Sequence, residues 1–542
     1  MIHTTLLDRL IAKVAPAYAI KRAAARQAFE AFSGAAPGGT GAPLSPSNSR
    51  WIVTRGSADA DNLRALPQQR FESRDLRRTN PIAGGAIKTN LDRVVGTGLV
   101  PIPEPDITVL GWTEDQAAEW RDTWLREFSL WADSSECTLD RKQNFFERQE
   151  LVLGSRLESG DCFTLLPDAR PTSTMPYRLR LQLIEAERVG NPNNEADKVG
   201  QVAGIRLDPA TGAPIAAHIY NQHPGSSLSA TGNKFAGTWV EYFGGQSGRR
   251  RVLHHYRPTR PEQTRGAPYL APVIQAIKDL GRYTEAEITA AVLSAFYTVF
   301  VETPDGGGPA PVFGAEAPTG QAGDDPADGA TIAMAPGAVI GLAKGEKANF
   351  ADPKRPNTAY EPFVTGVLKL IGVGLGLPLE LLVKQFNASY SASKAALLDA
   401  WQHFRSERAW LVNSFCQPVY ETLMAEAVAA GRIQAPGFFE DPLMRWAYTR
   451  ATWHGDSQGS INPKDEIEAY RDAIDGKLMT HQRATWELFG TDWSRTYPTM
   501  RRERDLMARD NMTPAPRAGA AAAPAPSPAP ASSPSSSTSS AP

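Results

Sequence analysis

The chain has 542 residues, 42% of them hydrophobic and 21% charged, which is ordinary for a folded protein with room for a sizeable core. A formal net charge of −2 argues against a generic nucleic-acid binder, which would be strongly basic, though not against a protein that guides DNA without gripping it. Cys137, Cys162 and Cys416 lie far apart with no CxxC or Cys/His cluster, so neither a disulfide framework nor a zinc site is expected, and a reducing compartment fits.

Met1 to Phe32 mixes apolar residues with Arg and Lys at helical spacing and lacks the apolar core of a signal peptide. Ser33 to Ser49, rich in Gly, Pro and Ser, reads as a linker. From Phe71 a helical pattern runs to a break at Asn80-Pro81 and resumes through Ala86 to Val95, ending at Gly96-Thr-Gly98. Thr113-Glu-Asp-Gln116 has the form of a capping box. Behind it Trp120, Trp124, Phe128 and Trp131 fall on one helical face, a stripe for core packing rather than for stacking on bases. A helix over about Arg141 to Glu158 follows.

Next comes a β-rich stretch. Cys162 to Leu166, Tyr177 to Ile184, Val202 to Leu207, Pro214 to Tyr220, Trp239 to Phe243 and Val252 to Tyr256 suit strands, and Asp208-Pro-Ala-Thr-Gly212 suits a turn. Pro272 is placed for the first turn of a long helix reaching about Val301. Its stripe is Val273, Ile277, Leu280, Thr284, Ile288, Ala291, Ala295 and Val299, and a helix of that length is a rod of about 45 Å.

An insert from Glu302 to Ala343 then holds six acids (Glu302, Asp305, Glu316, Asp324, Asp325 and Asp328) and no Lys or Arg. Short apolar runs at Val312-Phe, Ala330 to Met334 and Ala338 to Leu342 suggest strands in a small domain. Repeated around a ring, its charges would repel phosphates and offer a docking surface to a basic partner.

The chain returns with a helical segment from about Thr358, a Gly/Pro break, and a long helix from about Ala392. That helix carries the stripe Leu397, Trp401, Phe404, Leu411, Phe415, Val419 and Leu423, with Pro418 as a possible kink. Val364 to Val383 is the most membrane-like stretch, but Lys369, Pro378, Glu380 and its glycines mark it as buried or loop-forming, and no membrane association is expected. A helical region over about Pro463 to Arg509 precedes Thr513 to Pro542, an Ala/Pro/Ser tail expected to be disordered.

No GxxxxGK[ST], HExxH or GxSxG motif is present. Gly372-Val-Gly-Leu-Gly376 lacks the spacing and preceding strand of a dinucleotide site, and a flexible helix end describes it better. Ser391-Ala-Ser-Lys394 matches SxxK formally, but no KTG follows, and an enzyme built on Ser391 and Lys394 is an outsider. His254-His255 would point to opposite faces of a strand, which fits hydrogen bonding and not joint metal ligation. No catalytic residue, metal site or cofactor is expected. The connection from Gly376 through Lys384, Gln385, Phe386, Asn387, Ser389, Tyr390 and Ser391 to Lys394 is polar, with isolated Lys. Such a connection can touch a phosphate backbone weakly without reading sequence, though an ordinary helix–helix link has the same composition.

Several blocks occur in a familiar order: Ser73-Arg-Asp-Leu-Arg-Arg-Thr-Asn-Pro81, Ala86 to Leu99, Leu181-Gln-Leu-Ile-Glu-Ala186, His255-Tyr-Arg-Pro258, Arg260 to Gly266, Pro268 to Pro272, Gly374 to Pro378 and Tyr390 to Leu397. In this series, across roughly Phe71 to Gly431, the chain resembles the lambda-type portal proteins of tailed bacteriophages. Ala392 and Lys394 depart from a usual pattern closer to Tyr-Ser-Ser-Ala-Arg, keeping the charge but changing its geometry.

The resemblance implies an α+β portal fold assembling as a ring, a dodecamer, at one capsid vertex. Double-stranded DNA would enter and leave through it without sequence-specific contacts. By the same resemblance, residues 1–50 are an N-terminal arm and linker, 51–268 a mixed α/β wing, 269–301 a long stem helix and 302–345 a small α/β clip. Residues 346–374 are a stem return helix and 375–393 a DNA-facing tunnel loop. Then 394–461 hold a wing helix and its continuation, 462–512 a helical crown, and 513–542 the tail. The implied partners are the terminase large subunit on the clip, a head–tail connector or adaptor that replaces it, and the major capsid protein and scaffold. The implied location is the virion, after assembly in the host cytoplasm. Another ring-forming component of a phage tail or secretion channel is the alternative.

Overall fold

The computed structural model describes residues 56–226, 233–295, 299–302, 339–342, 359–386, 389–457, 463–491, 493–510 and 512. The chain forms two compact units, divided after Gly455. The first opens with α1 (Ala58–Leu63), α2 (Leu66–Thr79) and α3 (Pro81–Val94). The break expected at Asn80-Pro81 is a cap. Asn80 is extended, and its Oδ1 accepts from the N–H groups of Ile82 and Ala83 at the start of α3.

β1 (Val100–Pro103) and a short helix lead to α4 (Glu114–Ala132), whose Thr113/Gln116 capping box is formed in both directions. Trp124, Phe128 and Trp131 are buried, and the Trp131 indole N–H donates to the Leu179 carbonyl at 3.0 Å. Rings so enclosed have no face to offer a base. α5 (Phe145–Ser159) starts later than expected. Arg141 sits at φ 54°, outside any helix, and the start is set instead by an Asn144/Glu147 capping box.

The β-rich stretch makes two antiparallel sheets. β2 (Asp161–Leu165) lies between β3 (Gln182–Glu185) and β8 (Val252–Tyr256). β4 (Gln201–Val202), β5 (Ile205–Leu207), β6 (Pro214–Tyr220) and β7 (Gly237–Glu241) form the second sheet in that order. The expected strand over Val202 to Leu207 is divided by a turn at Ala203 and Gly204, both at positive φ, and that over Tyr177 to Ile184 is a continuous strand only from Gln182, with isolated bridges at Leu179 and Leu181 before it. Asp208 closes the expected turn, accepting from the Ala210 N–H and the Thr211 hydroxyl.

A 3₁₀ turn at Ala271–Val273 starts α6 (Ile274–Ala295), which has 22 residues and a length of about 33 Å. The expected continuation to Val301 does not occur. Val299–Glu302 is a strand, β9, paired in parallel with β10 (Val339–Leu342). The chain resumes with α7 (Tyr360–Leu375), antiparallel to α6. Tyr360 stacks on Tyr283 and Phe363 meets the same ring edge-on, while Gly374 lies against Val273 at the other end. The α6 stripe is covered over its first half only: Val273, Ile277 and Leu280 are buried, whereas Ile288 is 60% exposed and Ala291 is exposed too.

α8 (Leu379–Val383) and the long α9 (Tyr390–Leu411) follow. The chain widens into a π turn at Val412–Cys416 before α10 (Gln417–Ala429). Pro418 falls in the first turn of α10, directly after the π turn, where its missing N–H is tolerated. Phe404, Leu411, Phe415, Val419 and Leu423 are buried, with Phe415 stacked on Phe145. α11 (Pro442–Thr449) and β11 (Ala451–His454), antiparallel to β1, complete the unit. The second unit has three described helices, α12 (Pro463–Asp475), α13 (His481–Phe489) and α14 (Trp493–Arg509).

Candidate DNA-facing segment and its anchorage

The segment expected to face DNA is more ordered than a loop. Gly376, at φ 66°, ends α7, and the Leu377 N–H turns back to the Gly372 carbonyl at 2.9 Å. Leu375, Leu377, Leu381 and Leu382 are buried, so the helical stretch Leu379–Val383 is held by its apolar side. Lys384 closes that helix at φ 55°, donating its N–H to the Glu380 carbonyl. Lys384, Gln385 and Phe386 are exposed. Asn387 lies outside the described residues. Ser389 caps α9, so Tyr390, Ser391 and Lys394 begin a helix; Ser391 is exposed and Lys394 half-buried.

A relay of buried polar groups holds this segment. The Tyr269 hydroxyl donates to the Leu375 carbonyl and accepts from the Asn90 amide at 3.3 Å. The Asn90 Oδ1 in turn lies 3.1 Å from Nε2 of His403 on α9. Burial holds the His403 imidazole below its ordinary pKa and so favours the neutral ring, which donates through Nε2 here. Burial likewise pushes the Tyr269 phenol up, keeping it a donor. Three helices and the loop before α6 thus converge where the segment begins.

Behind it lies a denser cluster. Asp161 is fully buried and receives Arg265 (Nε–Oδ2, 2.5 Å), Arg70 (Nη2–Oδ1, 2.6 Å) and His254 (Nε2–Oδ2, 3.1 Å). The remaining Arg265 hydrogens go to the carbonyls of Val189, Ala203 and Ala186. Burial alone would raise the Asp161 pKa, but the two guanidiniums hold it far below the usual carboxylate range. Burial lowers Arg70 to about 10 and also lowers His254. His255, on the opposite face of β8 as the sequence implies, bonds Thr164 at 2.8 Å and is pushed down to about 3 by burial and by His254.

A second buried carboxylate, Glu407 on α9, pairs with Arg156 and with Arg257 at 2.5 Å. Both clusters are joints between elements, the Asp161 cluster enclosed by protein and the Glu407 cluster reaching the surface at Arg257. Spacing along the chain gave no sign of either, since their members are far apart in sequence; the one available signal was the presence of Arg70, Arg257 and Arg265 in or beside the recurrent blocks.

Of the six acids in the insert, Glu302 ends β9, and Asp305, Glu316, Asp324, Asp325 and Asp328 lie outside the described residues. Among the described residues no group of three or more His, Cys, Asp or Glu side chains could hold a metal ion. No described helix is long and apolar enough to cross a membrane.

A family model described as phage portal protein, lambda family, matches residues 45–408. The chain belongs to this family. Portal protein B of Escherichia phage lambda is 24% identical over 451 residues, spanning 80% of this chain and 83% of its own. The portal protein of Escherichia phage N15 is 24% identical over 452 residues, with the same coverage. Among solved structures, a chain from the neck of a native GTA particle computed with C12 symmetry covers 76% of this portal chain and 92% of its own. Its identity is 14% and its TM-score 0.37. As a portal protein the chain is a structural component of the virion and not an enzyme, which leaves Ser391 and Lys394 without a catalytic role.

Proposed function

We propose that copies of this portal protein close into a ring of twelve at one capsid vertex and form the conduit through which double-stranded DNA is packaged and later ejected. The observation that carries this reading is the antiparallel α6–α7 pair. Ile288 and Val292 on α6, with Leu370 and Val373 on α7, are more than half exposed in the single chain. Apolar side chains left open towards both ends of the pair need a neighbour, and a head-to-tail ring supplies one to every copy.

In this reading α6 and α7 are the stem, the insert 302–345 is the clip, the two sheets with α1–α5 and part of α9 are the wing, and α12–α14 are the crown. Residues 375–393 face the bore, presenting Lys384 and Gln385, with Lys394 one turn into α9. A sliding duplex is served by few basic contacts, because affinity accumulates with each neutralised phosphate. The acidic clip is the docking surface for the terminase large subunit and then for the connector, while the wing meets the major capsid protein and scaffold. The copies assemble in the host cytoplasm.

The test is the Lys384→Glu/Lys394→Glu double variant in assembled particles. Intact rings with reduced genome content support the reading; normal genome content refutes the placement of residues 375–394. Deleting Glu302 to Ala343 is expected to abolish terminase docking while the rest folds, and undiminished docking refutes the clip.

A further inference from the structure

The second unit is short of core. Among its described residues only Ala484 is buried, and Arg501 to Arg509, about two and a half turns of α14, are exposed at every position. Ile467, Leu478, Met500, Leu506 and Met507 are also exposed. Helices that bury so little are marginal in water and take their stability from packing. Within the chain α12 and α14 both pack on the middle helix: Tyr470 on α12 donates to Glu487 at 2.9 Å, and Trp493 on α14 stacks on His481.

The two outer helices carry opposite charge. α12 has five acids against two basic residues, with Asp465, Glu468, Asp472 and Asp475 at helical spacing along one face. α14 has five arginines against two acids. Arg504 and Arg509 are taken up by the adjacent Asp505 and Asp510, which leaves Arg501 and Arg502 directed outward.

We infer that a second copy of this chain covers these helices, the acidic face of α12 in one subunit seating against the arginine-rich α14 of the next. The complement of each helix is on the same chain, and a heterologous contact of this kind repeats around a closed ring without leaving a charge row uncovered. The inference rests on the ring reading above and adds to it which elements meet and by what chemistry.

The test uses full-length chains carrying Ala469→Cys or Ala508→Cys, exposed sites on α12 and α14 whose replacement leaves the charges in place. Native Cys137, Cys162 and Cys416 are fully buried, so the introduced thiols are the reactive ones. The two variants are co-assembled, treated with a short bis-maleimide, and the same sample is imaged in negative stain. The expected result is a covalent dimer in the mixture, at least tenfold above either variant alone, and lost when Arg501→Glu/Arg502→Glu is added. Annular particles with no cross-link, or with a cross-link indifferent to the Arg reversals, overturn this inference and leave the ring reading standing. Loss of bound DNA from the Arg-reversed rings with the cross-link unchanged also overturns it, assigning α14 to DNA. Absence of annular particles defeats the ring reading itself.

Discussion

Arg265 and Asp161 form a forked, buried ion pair: Nε lies 2.5 Å from Oδ2 and Nη2 3.2 Å from Oδ1, with the Arg265 side chain 2% exposed and that of Asp161 0%. Arg265 lies just before the 3₁₀ turn that starts α6 and Asp161 opens β2, so this pair joins the sheet to the start of that helix. Removing one partner of such a pair strands a charge in the interior, whereas a surface pair contributes little.

Arg265→Met is therefore expected to destabilise the first unit by about 3–5 kcal/mol, read as a shift in the chemical-denaturation midpoint. Arg265→Lys is expected to recover only part of the loss, because an ammonium cannot reproduce the forked contact and three carbonyl bonds. Arg483→Met, an exposed partner of Glu487, serves as the control and should cost less than about 1 kcal/mol.

Acidification should weaken the fold in two stages. His254 and His255 have folded pKa values below the ordinary histidine range, so the unfolded chain binds their protons more readily. Stability is complete above about pH 6.5 and falls as the pH drops towards their folded values. Asp161, also held low, adds a loss that begins below about pH 4 and continues as its folded value is approached. Urea midpoints measured between about pH 7.5 and 4.5 check the first stage, and His254→Gln/His255→Gln should flatten that slope.

The backbone crossing beside the ion pair admits no side chain. A Cβ on Gly266 would lie 2.1 Å from the Gly160 carbonyl oxygen, and one on Gly160, already at φ 87°, 2.4 Å from that of Gly266. Gly266→Ala is expected to cost about 3 kcal/mol or more, since backbone stands in the way. Gly85→Ala, within α3 and with nothing inside 4 Å of the added carbon, should stabilise by about 0.5–1 kcal/mol. Thermal unfolding of the pair checks both signs.

Tyr269→Phe removes the hydroxyl shared by Leu375 and Asn90 and should cost about 1 kcal/mol globally. Its local consequence is more telling. Amide exchange is expected to rise over residues 375–386 and stay unchanged in β2 and β8; a uniform rise would show that Tyr269 supports the core and not the segment in particular.

Local chemistry was legible in the sequence where a few neighbouring residues decide the backbone. Asn80, the Thr113 capping box, the Asp208 turn and the Trp124–Trp131 stripe are of this kind. What distant partners decide was not. The helical period runs on past Ala295, yet Val299–Glu302 pairs with a strand some 40 residues later, a contact the period cannot encode. Residues 379–383 lie between the Gly376/Pro378 break and the polar run from Lys384 and so read as part of a loop, but Leu381 and Leu382 bury one side of a short helix. The Asp161 cluster gathers residues from four segments, and only folding brings them together.

The central claim is a ring whose bore is lined by residues 375–394. A reconstruction of the capsid vertex with DNA in place tests it most directly. The account predicts a twelve-fold annulus with α6 and α7 around the duplex and Lys384 within reach of its phosphates. An annulus that turns this segment outward, or a vertex occupied by isolated copies of the chain, would contradict it.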